Sequence, residues 1–179
     1  MTINDLSGDE LRAALLRTAS GVYATEAAIR LLLAHGSWPL RLDGAGLLTV
    51  SEATTAAGSA SCYAEVLWEE VSANIDAGHL LIGSGSEIRV LRIAASLAAG
   101  IPVDLADAVT GLDRHNLALV LAALSHANGS HEHKDYAAER PADGSSSVAT
   151  ADTPMLELGP GFGWPQRGEG AQPVTSRCR

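Results

Sequence analysis

A chain of 179 residues has room for one domain and a tail, and its 46% apolar but only 4% aromatic composition predicts an all-α fold rather than an aromatic-rich β-sandwich. The formal charge of −9, with seven arginines against fourteen acids over residues 1–128, opposes a nucleic-acid or acidic-membrane partner, because phosphates are bound by clustered Lys and Arg. The start "MTINDLSGDELRAALL" lacks a secretory signal's basic start and continuous apolar stretch, and no apolar run reaches span length, so a cytoplasmic location is expected.

Ser7 with Glu10 three residues on is a capping-box signature. Behind it Leu11, Leu15, Thr18, Val22, Thr25, Ile29 and Leu32 follow helical spacings, predicting one long helix or two in line with a weak point at Gly21. Gly36 marks its stop, and Pro39 is expected to prevent continuation. Residues 41–60 show no clean period and read as a mostly irregular connector. A second helix is predicted over Ser61–Ala77 from Val66, Leu67, Val71 and Ile75, ending at Gly78. A third runs from about Ser86 to Ala99, with Ser84 and Glu87 as its cap.

After "GIPVDLADAVTG" the run Leu117–Leu124 leaves no polar face, so this last helix is expected at the centre of the fold or buried in a partner. The expectation is a bundle of about four principal helices over residues 1–128. Residues 129–179 hold five of the seven prolines and seven of the eighteen glycines, and predict a disordered tail whose one apolar cluster is "MLELGPGFGW". Cys62 and Cys178 lie too far apart to read as a disulfide framework or a zinc site, and free thiols are expected.

Three functional readings follow. The first is a non-enzymatic interaction or regulatory module, a homo-oligomer or the binder of another protein, through Leu119, Val120 and Ala123, with Phe162 and Trp164 as a second contact. The second is a helix-turn-helix DNA binder over residues 104–124, with Gly111 in the turn but one firm cation, Arg114, on the would-be recognition helix. The third is a nucleotide site at the 83–87 turn, with Asp104 as the ribose-binding acid; there Ile88 stands where a third glycine belongs, and a helix cap is the better account of the residues. His126, His131, Glu132 and His133 read as solvated, and His35 and His79 as positive groups at helix ends. No spacing selects a nucleophile, base and acid, so no catalytic residue, cofactor or metal is assigned.

The stretches "LLLAHGSW", "WEEVSANIDAGHL", "SGSEIRVLRIAASLAAGIPVDLADAVTGLD" and "RHNLALVLAALSHANG" resemble a family of short uncharacterised proteins from high-GC, actinobacterial-type bacteria, over roughly residues 24–41 and 66–129. Its marks here are Trp68 eight residues before Asp76, the turn from Ser84 to Glu87, and Gly111, Leu112, Asp113 and Asn116. Members often carry Pro-Cys before that serine, where this chain has Ile82 and Gly83. The resemblance implies a shared fold, with Ser84 and Glu87 as a cap and Gly111, Asp113 and Asn116 as the turn into the last helix, and implies no activity.

Overall fold

A computed structural model describes residues 6–54, 60–78 and 81–129. Helix α1 (Gly8–Ala19) opens on the expected capping box: the Glu10 N–H donates to Ser7 Oγ, and the Ser7 N–H to the Glu10 carboxylate at 2.8 Å. Gly21, at φ +94°, lies in the left-handed region that strains any L side chain, and here the chain breaks into two helices. Helix α2 (Tyr23–His35) ends at Gly36. Pro39 does not stop helical structure. It sits in the first turn of α3 (Trp38–Gly44), where a missing N–H leaves no bond unmade.

The next segment overturns the all-α expectation. Strands β1 (Leu48–Thr54) and β2 (Ala60–Val66) form an antiparallel sheet, with Leu48 opposite Val66 and Thr54 opposite Ala60. The fold is mixed: seven helices and one two-stranded sheet among the described residues. Along β2, Cys62, Ala64 and Val66 are buried and alternate with more exposed Ser61, Tyr63 and Glu65, a period of two. Val66 and Leu67 satisfy a helical period by coincidence, and the second helix, α4 (Trp68–Ala77), begins only after them. Helix α1 covers this hairpin, and the Arg17 guanidinium donates to the Cys62 carbonyl. Cys62 is buried, and no cysteine among the described residues is free, against the expectation; Cys178 lies outside them.

Helix α5 (Gly85–Ala99) follows the Ser84 cap, α6 (Leu105–Thr110) is capped by Asp104, and α7 (Arg114–Ala127) by Asp113. The centre of the fold is α2, which packs against α1, α3, α5 and α7 and buries Ala27, Ala28, Ile29, Leu31 and Leu32. It runs antiparallel to α7: Glu26 in its first turn meets His126 in α7's last turn, and His35 at its end feels the charges of His115 and Asp113. No described helix is long and apolar enough to cross a membrane. The segment read as a disordered tail lies outside the described residues from 130 onward.

Candidate functional site

The densest gathering of polar side chains surrounds the start of α5. The Ser84 N–H donates to Glu87 Oε2 at 2.7 Å and the Glu87 N–H returns to Ser84 Oγ at 3.3 Å. The other oxygen, Glu87 Oε1, accepts from Arg41 of α3 at 3.2 Å. Arg41 also donates to the Ile82 carbonyl at 3.1 Å and lies 5.0 Å over the buried Trp38 ring. The Ser84 N–H first, then the Arg41 guanidinium, hold the Glu87 carboxyl below its ordinary range. His35 Nδ1 lies 3.0 Å from Ser37 Oγ and its Nε2 3.8 Å from Glu87 Oε1. Burial pushes the His35 pKa down despite Glu87, so the imidazole is neutral at neutral pH rather than the positive helix-end group expected.

Beside this cluster lies a depression of about 430 Å³ lined by Arg41, Gly44, Ala45 and Ile82. The Ile82 side chain stands 83% exposed on one wall; Leu40, four residues before Gly44 on α3, is 70% exposed. Ile82 and Leu40 are the two most exposed large apolar side chains among the described residues, and Ile82 lies beside a cation held by its own carboxylate.

On the other side of the α5 start, Ser86 Oγ accepts from the Asp113 N–H at 3.0 Å and from Asn116 Nδ2 at 2.9 Å. Asn116 Nδ2 also reaches Asp113 Oδ2 at 2.8 Å. The Asn116 N–H, then the Ser86 hydroxyl, lower the Asp113 pKa. Arg89 bonds the Asp107 carbonyl at 2.9 Å and carboxylate at 2.7 Å, and a Cβ at Gly111 would lie 2.2 Å from Arg89 Nε. Any larger residue at 111 would push the Arg89 side chain from this path. The marks that carry the resemblance are thus one unit: Ser84 to Glu87 is bolted to Gly111, Asp113 and Asn116 through Ser86 and Arg89, and Asp76 of α4 pairs with Arg92 at 2.8 Å.

The predicted interaction residues fall elsewhere. Leu119, Val120 and Ala123 face inward and are buried in the chain's own core, while Phe162 and Trp164 lie outside the described residues, as do His79, His131, Glu132 and His133. His126 is not solvated: it is 8% exposed, with Nε2 3.0 Å from Glu26 Oε2. The 83–87 turn has no strand on either side among the described residues, and the Glu87 carboxylate takes the N-cap amide of Ser84, which puts a negative charge where a phosphate would sit. Residues 104–124 do form two helices joined at Gly111–Asp113, with Ala108 rather than Asp107 buried where they meet the core. Asp107 instead turns outward to Arg89. No three metal-ligating side chains converge among the described residues.

Sequence reasoning missed Arg41, Leu40 and Ile82. One signal was available: an isoleucine beside Gly83 belongs to no helical stripe and no strand. Comparison of the chain with protein-family models, with curated proteins and with solved structures finds no match.

Proposed function

We propose that this protein is a non-enzymatic interaction module that acts in the cytoplasm and self-associates through the depression between α3 and Ile82. The observation that carries the reading is the 83% exposure of Ile82 beside the Arg41 depression. A second copy suits it because the chain is acidic, and two copies repel least where local charge is balanced, as it is between Arg41 and Glu87. The full chain is expected to give the mass of two chains by light scattering, falling toward one on dilution. Ile82→Glu, at an open position that carries no core packing, should raise the dissociation midpoint by about tenfold or more, roughly 1.4 kcal/mol. A single-chain mass at every concentration, or a dimer indifferent to Ile82→Glu, overturns the reading.

The succession of α6, turn and α7 favours a second reading, DNA binding through residues 104–124. Residues 104–124 hold one arginine, the exposed Arg114, against Asp104, Asp107 and Asp113, a charge balance that opposes phosphate binding. Absence of retention in a low-salt filter assay, where phosphate attraction is strongest, removes it.

A further inference from the structure

Helix α7 turns a second stripe outward. Leu117, Leu121 and Leu124 stand at spacings of four and three, so they share one side of the helix, and Leu121 and Leu124 are 40% and 44% exposed. The stripe shares no residue with the lining of the Arg41 depression, and α7 buries Leu119, Val120, Ala123 and Asn116 instead of it. Five residues after Leu124 the chain has already left α7: Gly129 takes φ +72° and lies beside the Tyr23 ring.

We propose that the segment Met155–Trp164 of the same chain docks on this stripe. Three observations select it over a second copy. Twenty-five residues, 130–154, separate Gly129 from Met155, a length that spans roughly 25–30 Å as a random coil. Leu121 lies only about 12 Å back along the helix axis from Gly129, so the segment is held within reach at an effective concentration of about a millimolar. Met155, Leu156, Leu158, Phe162 and Trp164 are the one dense apolar group after Gly129. Residues 130–179 carry five basic against seven acidic side chains, closer to balance than the seven against fourteen of residues 1–128, so charge opposes their docking on the acidic domain less than it opposes a second domain there. Phe162 and Trp164 supply the large apolar surface that exposed leucines lack a partner for.

The test is acrylamide quenching of tryptophan fluorescence in the full chain. Trp38 is fully buried and Trp68 nearly so, which leaves Trp164 as the residue the quencher reads. In the wild type Trp164 is shielded at every protein concentration. The double substitution Leu121→Glu with Leu124→Glu releases it, raising its accessible fraction by up to about tenfold, as expected for a contact of roughly 0.1 mM affinity held at millimolar effective concentration. Phe162→Ser should release it as well without touching α7, which keeps the test valid if the leucine variant unfolds. Full quenching of Trp164 in the wild type, shielding that survives both variants, or shielding that grows with protein concentration each overturns the proposal. The last would assign the stripe to another copy. None of these outcomes depends on Ile82, so failure here and failure of the dimer at the Arg41 depression are separate results.

Discussion

Helices α2 and α7 look alike as sequences, each apolar almost all round, yet they hold different places. Helix α2 has neighbours on every side and buries Leu31 and Leu32 completely, while α7 leans on α2 and on the start of α5 and leaves Leu121 and Leu124 half in water. The absence of a polar face pointed to α7 as the centre, and the structure gives that place to α2. What ranks them is the number of elements that reach each helix, a property of the whole chain.

The comparison breaks most directly in the core. Leu31→Ala on α2 and Leu119→Ala on the inward side of α7 should each lose about 2–5 kcal/mol in denaturant unfolding, since both are buried; a loss under 1 kcal/mol at Leu119 would mean α7 is not docked as described. Next in size is Ser86→Ala, which strips the shared acceptor from the Asp113 N–H and from the buried Asn116 amide. About 1–3 kcal/mol is expected from leaving a buried donor unmatched, and recovery with Ser86→Thr would tie the loss to the hydroxyl.

A smaller effect separates the two helix ends by pH. The His35 pKa is lowered by burial, so the fold prefers the neutral ring: its stabilisation is complete above the ordinary value of 6.5 and is lost as pH falls through the lowered one. Glu26 and Glu87 are also lowered, Glu26 chiefly by the Gly21 N–H and then by His126, but their loss begins only below 4.5. Between those values Tm should decline in the wild type and decline less in His35→Gln. Parallel profiles would show that His35 is not the group responsible. The smallest effect is on the outward stripe, where Leu124→Glu should change unfolding free energy by no more than about 1.4 kcal/mol, the tenfold expected for losing the docked segment; a larger loss would mean that the stripe is packed against the described core.

Much of the local structure was legible. Ser7 with Glu10, and Ser84 with Glu87, announced helix starts, and Gly36 and Gly78 announced stops; Leu119, Val120 and Ala123, expected at an interaction surface, are buried in the chain's own core instead. The hairpin was not legible, because its inward residues on β2 are Cys62 and Ala64, small side chains with little strand preference, and because Val66 and Leu67 lent themselves to the following helix. Of the candidate site, only the Ser84–Glu87 cap could be seen in advance. Nothing near Arg41 in the chain points to Glu87, and nothing near Glu26 points to His126.

By itself the sequence determined the capped helix starts after Ser7 and Ser84, since a capping side chain reaches a backbone amide three residues away and needs no other part of the molecule. Only the tertiary structure decided that α2 is central, that Arg41 sits on Trp38 and holds Glu87, and that His126 is buried against Glu26. The physical reason is distance along the chain: Arg41 and Glu87 are 46 residues apart and Glu26 and His126 are 100. Such contacts exist only once packing has chosen which apolar faces meet, and the same side chains would be equally content in water beforehand.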